Sequence, residues 1–285
     1  MRSPTVNPPH SSENVMNRID ALFTRLRSQG RRALMPFLTA GDPELEATAA
    51  LIGEMVTRGA DMVELGIPYS DPIADGPVIA ESYTRALRTG IKLASIFAMV
   101  ERLRSSERVE APIVTMVSYA IVHRHGVTAY LDRAVSSGVD GLIVPDLPVE
   151  EAADLCRLAT ARNLSLIQLV TPTTPRDRAL KIIASTTGFL YYVSVAGITG
   201  ERRELPPELA DNVAWLRSQT KLPVCIGFGI SGPDQIRQLA PVADGLIVGS
   251  ALVRRLRGAA ERPRAEVVGE IGGFVEELAR ALTLT

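Results

Sequence analysis

Short apolar runs alternate with longer amphipathic runs along nearly the whole chain, and this alternation limits the possible folds more than any other feature. A short apolar run bounded by turn residues reads as a buried strand, whereas apolar residues recurring every three or four positions read as a helix. Eight strand candidates succeed one another: Ala33–Leu38, Met62–Leu65, Ile113–Val117, Gly141–Val144, Ser165–Val170, Phe189–Ser194, Pro223–Ile226 and Gly245–Val248. Between them, segments such as Pro43–Gly59, Val127–Ser137, Val149–Arg162 and Pro233–Leu239 have helical spacing, and a leading helix is expected around Asn14–Ser28. Strands separated by helices return in parallel, because the connection must cross back over the sheet. Eight such units predict an α/β fold, a closed (β/α)8 TIM barrel with an extra N-terminal helix, over an open doubly wound sheet. The 285 residues suit one barrel with additions. The expected organisation is a flexible N-terminal extension over residues 1–13, then a single barrel domain over residues 14–285, with Gly258–Pro263 the segment least defined by pattern.

An internal repeat supports closure. Asp140-Gly-Leu-Ile-Val144 and Asp244-Gly-Leu-Ile-Val248 are identical, and Gly59-Ala-Asp-Met-Val63 is similar; each leads from a helix end into a short buried strand.

Composition narrows the function. A formal net charge of −1, with paired basic residues at 31–32, 202–203 and 254–255 balanced by acids, gives no reason to expect nucleic acid or an anionic membrane as partner. No apolar run approaches the ~18 residues of a membrane span. Met1–Ser12 is rich in proline and serine and lacks the apolar stretch of a secretion signal, so a cytoplasmic protein is expected. Cys156 and Cys225 are far apart and read as buried thiols of a reducing compartment. His123 and His125 are two apart, with no His-Glu-x-x-His or Cys-x-x-Cys pattern, so no metal site is expected.

In a barrel, functional groups gather where strands end and the next loops begin. The first cluster there is Glu64-Leu-Gly-Ile-Pro-Tyr-Ser-Asp71-Pro-Ile-Ala-Asp75-Gly-Pro77. Glu64 interrupts an apolar strand and shares a face with Met62 and Gly66. Turned inward it would be desolvated, which raises its pKa and suits it to donate as well as accept a proton. Prolines 68, 72 and 77 stiffen the loop carrying Asp71 and Asp75. A second cluster is glycine-rich: Gly197-Ile-Thr-Gly200, Gly227-Phe-Gly-Ile-Ser231 and Gly249-Ser250 follow the last three strand candidates. Glycines let backbone N–H groups approach an anion, and the last two loops are where barrels frequently hold phosphate. The third cluster is aromatic: Phe37, Tyr191 and Phe228, the last set to face a flat ligand. Nothing marks a dinucleotide fingerprint, a Walker A loop or a strand lysine able to form a Schiff base, so cofactor-free proton transfer is expected. Val195–Pro207, glycine-rich, then charged, then closed by two prolines, reads as a lid over the site.

Together these segments resemble the tryptophan synthase alpha chain family from about Asn14 to Leu256. The likeness rests on Met35-Pro-Phe-Leu-Thr-Ala-Gly-Asp-Pro43, the Glu64–Pro77 segment, Pro145-Asp-Leu-Pro148, Tyr191-Tyr-Val-Ser194, Gly197-Ile-Thr-Gly200 and Gly227-Phe-Gly-Ile-Ser231. The resemblance implies a lyase that cleaves indole-3-glycerol phosphate to indole and glyceraldehyde 3-phosphate by a retro-aldol reaction. It implies that Glu64 protonates indole C3 and handles the glycerol hydroxyl proton, and that Asp75 accepts or stabilises the indole N–H proton as the indolenine forms. Gly200, Gly229, Gly249 and Ser250 match the family's phosphate positions; Phe37, Tyr191, Thr199 and Phe228 match its indole pocket. The partner implied is a tryptophan synthase beta chain that carries pyridoxal phosphate, in an alpha2-beta2 heterotetramer. Where the family typically reads Tyr-Asn-Pro after the third strand, this chain reads Tyr119-Ala-Ile121, which bears on coupling to that partner more than on the chemistry. A free-standing indole-releasing lyase and a silent barrel serving as a binding module are the alternatives; the intact Glu64 and Asp75 weigh against the silent barrel.

Overall fold

A computed structural model of the chain describes residues 16–72, 75–193, 208–227 and 229–283. Its sheet is wholly parallel and is built from β1 (Ala33–Thr39), β2 (Val63–Gly66), β3 (Ile113–Met116), β4 (Gly141–Ile143), β5 (Ser165–Ile167), β6 (Leu169–Val170), β7 (Leu190–Val193), β8 (Val224–Gly227) and β9 (Gly245–Val248). The spatial order is β5-β4-β3-β2-β1-β9-β8-β7-β6. Its two ends, β5 and β6, are separated only by Gln168, so they are halves of the single expected strand Ser165–Val170. The first half pairs with β4 and the second with β7, which closes a (β/α)8 barrel. Gln168 is set aside at the break: its amide donates to Ser185 O at 2.7 Å, and its carbonyl accepts from Tyr191 N–H at 3.1 Å. β1 likewise divides its pairing, using Ala33–Pro36 for β9 and Phe37–Thr39 for β2.

Every strand except β6, whose Leu169 is only partly buried, is buried on both faces, as expected when helices cover a parallel sheet. Alternate residues turn inward to one cluster that includes Met35, Met62, Val114, Ile143, Ile167 and Cys225. The intervening ones, such as Leu34, Val63, Leu142, Leu190 and Leu246, pack outward under the helices. The leading helix, Arg18–Ser28, stoppers the N-terminal end of the barrel with Ile19, Leu22, Phe23 and Leu26. Asn17 caps it, accepting from Ile19 N–H while its amide donates to Asp140 O. Gly258–Pro263 holds a short 3-10 turn, Ala259–Glu261, before the closing helix Arg264–Thr283.

The internal repeat has a physical cause. Asp61, Asp140 and Asp244 each donate a backbone N–H to the carbonyl of Leu34, Ile113 and Val224, at 2.9 Å in every case. Each carboxylate returns to the same residue and accepts its N–H, at 3.0, 2.9 and 2.9 Å. Three two-way clasps thus lock neighbouring strands at the bottom of the barrel, where strand N–H groups would otherwise be left unpaired. Asp140 carries most: it also pairs with Arg104 at 2.6 Å and Arg18 at 2.9 Å, and its side chain is only 4% exposed. Two expectations are corrected. Cys156 is only half-buried, since it lies on the flank of the helix Ala152–Thr160, although Cys225 is buried as expected. Tyr119–Ile121 is not a loop but the first turn of a helix, Tyr119–His125, because Ser118 Oγ caps it by accepting from Ala120 N–H.

The clasps give a stability test. Asp140→Ala strands a buried N–H and a largely buried guanidinium, and is expected to destabilise the fold by about 3 kcal/mol. Asp244→Ala, whose partner Arg217 is 40% exposed, is expected to cost about half as much. Urea unfolding at neutral pH measures both; equal midpoints for the two variants would refute the ranking.

Candidate active site

Strand register builds the site. Phe37 on β1 lies beside Glu64 on β2, which lies beside Val114 on β3, and parallel partners project to the same face. All three therefore enter the barrel, two residues below the strand ends. Glu64 is 2% exposed, and its Oε2 has no hydrogen-bond partner among the described residues. Burial, reinforced by the negative charge of Asp75, pushes its pKa up to about 8. The group is thus protonated at neutral pH.

Asp75 stands immediately before the helix Pro77–Arg88, which starts at a proline whose missing N–H costs nothing there. Two contacts fix that helix to the end of β1 and the loop after it. Thr39 and Ser82 hydroxyls meet at 2.6 Å, and Arg85 donates bidentately to Asp42, at 2.9 and 2.7 Å. Asp75 Oδ2 accepts from the Tyr69 hydroxyl at 3.3 Å. Burial raises the Asp75 carboxyl, Tyr69 pulls it back and Asp146 raises it, leaving it at about 6. At neutral pH one carboxyl of the pair keeps its proton and the other has lost it.

Phe37, Glu64, Asp75, Tyr191, Gly229, Gly249 and Ser250 line one pocket, whose apolar wall is Ile79, Met116, Ile230 and Ile247. Two glycines seat its aromatic rings. A Cβ at Gly66 would fall 2.6 Å from Phe37 Cζ, and one at Gly227 would fall 2.5 Å from Tyr191 Cε2. Gly229 has φ +82, a left-handed conformation that favours glycine. Gly249 precedes the short helix Ser250–Arg255. Thr199, Gly200 and Phe228, and the segment Val195–Pro207, lie outside the described residues.

Asp71 departs from expectation. It is exposed and lines a neighbouring cleft with Ser70, Lys92 and Arg124, whereas Asp75 lines the pocket with Glu64. Met116 and Ile247 entered the pocket without being singled out, although strand alternation carried their signal; Ile79, Ile230 and Tyr69 depend on loop and helix docking that no local pattern encodes. Among the described residues no group of three or more His, Cys, Asp or Glu side chains is placed to hold a metal ion.

The arrangement can protonate one atom of a ligand while deprotonating another, in an apolar slot flanked by glycine backbone. The family model for the tryptophan synthase alpha chain matches residues 23–282. A tryptophan synthase alpha chain from Rhodopirellula baltica is 54% identical over 275 residues, which cover 94% of this chain and 99% of the relative. One from Prochlorococcus marinus is 47% identical over 264 residues, covering 92% and 94%. The crystal structure of tryptophan synthase subunit alpha from Legionella pneumophila superposes with a TM-score of 0.86 at 36% identity, covering 95% of this chain and 100% of that one. A chain of Mycobacterium tuberculosis tryptophan synthase gives 0.84 at 33% identity, covering 95% and 100%. With the family model matched across the barrel and a relative more than half identical over nearly its full length, this chain belongs to the tryptophan synthase alpha chain family.

Proposed function

We propose that Glu64 and Asp75 are the acid and base of the lyase reaction that family membership assigns to this chain: cleavage of indole-3-glycerol phosphate to indole and glyceraldehyde 3-phosphate, in tryptophan biosynthesis. The observation that carries the roles is the split of the two carboxyl groups about neutrality within one pocket. Environments that push paired carboxyls apart assign the donor and the acceptor. Glu64, protonated, delivers its proton to indole C3 while Asp75, ionised, takes the proton from N1. The resulting indolenine has a C=N bond that can receive electrons. Glu64, now a carboxylate, removes the proton of the hydroxyl on the adjacent glycerol carbon. That carbon becomes the aldehyde, the C–C bond breaks, and its electron pair restores the aromatic ring as Asp75 returns the proton to nitrogen. Both carboxyl groups end as they began.

Phe37 and Tyr191 would sandwich the indole, and the backbone N–H groups of Gly229, Gly249 and Ser250 would hold the phosphate; Thr199, Phe228 and Gly200 would complete the two sets. Phosphate at the loops after the last two barrel strands is a recurrent arrangement, which supports this reading. A tryptophan synthase beta chain is the partner the family implies. In our reading the assembly is an alpha2-beta2 heterotetramer and pyridoxal phosphate is held by the beta chain alone. In our reading the described residues from 16 onward belong to one barrel domain; the expected extension, residues 1–13, lies outside the described residues. Among the described residues no helix is long and apolar enough to cross a membrane, and a cytoplasmic setting fits the biosynthetic role.

Glu64→Gln keeps the size of the side chain but cannot carry a proton. Turnover, followed as indole release, should fall by at least ~10²-fold with KM changed far less; near-normal turnover in the folded variant removes Glu64 from the mechanism. The pH profile of kcat/KM should be a bell, falling below about 6 as Asp75 gains a proton and above about 8 as Glu64 loses one. A profile flat across that window contradicts the assignment.

The same burial has a stability consequence. Glu64 binds its proton more tightly in the folded state, about 8 against an ordinary 4.5. The unfolded chain therefore releases that proton first, and stability from this group is lost as pH rises from the lower value through the higher one. Glu64→Gln should gain on the parent in urea midpoint between about pH 5 and pH 8, because its amide has no proton to lose. A difference that does not change with pH would show that Glu64 ionises freely in the folded protein.

A further inference from the structure

Tyr69 sits between the two carboxyl groups in sequence and beside one of them in space. Its hydroxyl donates to Asp75 Oδ2 at 3.3 Å. Its ring lies against Tyr83, with centroids 5.5 Å apart and planes tilted by 50°. Tyr83 is 1% exposed and belongs to the helix Pro77–Arg88, which Asp75 leads into. Gly66 makes room for it, since a Cβ there would lie 2.9 Å from the Tyr83 hydroxyl oxygen. One end of Tyr69 is therefore held by a buried wall while the other reaches the carboxylate.

The charged and titratable neighbours of Asp75 give that hydrogen bond its weight. Glu64 on β2 and Asp146 after β4 are acids, and Asp71 lies on the same loop as Tyr69. Tyr83 on the adjoining helix and Tyr191 on β7 contribute phenols that burial keeps protonated. Among the described residues no arginine or lysine forms an ion pair with Asp75. The Tyr69 hydroxyl is itself pushed up by burial and by the surrounding carboxylates, so it stays a donor across the working range.

We propose that Tyr69 is a positioning residue for the proton-accepting carboxylate: its hydroxyl occupies Asp75 Oδ2, which orients Oδ1 toward the indole N–H. The proposal rests on the reading of Asp75 as the base. It gives Tyr69 no contact with substrate; the residue acts through Asp75. A carboxylate that accepts a donated hydrogen bond is favoured over its protonated form, so the same contact keeps Asp75 ready to accept at neutral pH. The ring packing on Tyr83 is separable from this effect, because phenylalanine would preserve it.

The test uses the purified full chain with indole-3-glycerol phosphate and compares Tyr69→Phe, Asp75→Asn and the double variant. Tyr69→Phe should lower kcat by about 10-fold, leave KM within about 2-fold, and move the acidic limb of the pH profile upward by about half a unit. In the Asp75→Asn background the same Tyr69 change should have almost no further effect, because the group it orients is gone. If Asp75→Asn retains turnover and an acidic limb, the base assignment fails and this proposal falls with it. If Asp75→Asn is inactive but Tyr69→Phe keeps the parent's kcat and limb, Tyr69 alone is dismissed. A loss of kcat in Tyr69→Phe with no shift of the limb, repeated in both backgrounds, marks a purely structural tyrosine and also overturns the proposal.

Discussion

A carboxyl group buried inside a barrel, with no ion-pair partner among the described residues, is the constraint on which the rest of this structure depends. Glu64 is enclosed by the register of β1, β2 and β3, and its Oε2 has no hydrogen-bond partner among the described residues. Such a group is tolerated in the folded state chiefly as the neutral acid. Its neutrality lets Asp75, a few residues on, remain the ionised member of the pair. Had Glu64 been given an arginine, both carboxyls would sit ionised at neutral pH and the pocket would hold two bases and no acid.

Opposite ends of the barrel use aspartate for opposite ends. At the bottom, Asp61, Asp140 and Asp244 accept strand N–H groups and pair with arginines, so their charge is satisfied and serves only to lock strands. At the top, Asp75 accepts a phenolic hydrogen bond from Tyr69 and faces other acids. The difference lies in the partners, and it separates the residues that hold the barrel together from those available to a ligand.

Much of this was legible in the sequence because it is periodic. All eight strand positions were readable from apolar runs, Gly245–Val248 to the residue, and the Val127–Ser137 and Pro233–Leu239 helices likewise. Glu64 was legible because a charge inside an apolar strand is conspicuous, and Asp75 because prolines frame it. What escaped depends on contacts distant along the chain. Asp71 and Asp75 share one loop and look alike in sequence, yet one lines a surface cleft and the other the pocket. The break at Gln168 cannot be read from an uninterrupted apolar run, because it arises from having two different neighbours to satisfy. Tyr119–Ile121 turned out helical through a cap at Ser118, a signal present in the sequence but weak beside the apolar pattern around it.

The break at Gln168 and the divided pairing of β1 have a joint consequence. Together they draw two meridians on opposite sides of the barrel and part it into half-shells, one running from β1 through β5, the other from β6 through β9 and back to β1. Glu64 and Asp75 belong to the first shell; Tyr191, Gly229, Gly249 and Ser250 belong to the second. A molecule with a ring at one end and an anion at the other would be gripped by both at once. It would act as a rivet across the meridians, so that occupancy of the pocket and the mutual alignment of the two shells become a single mechanical variable.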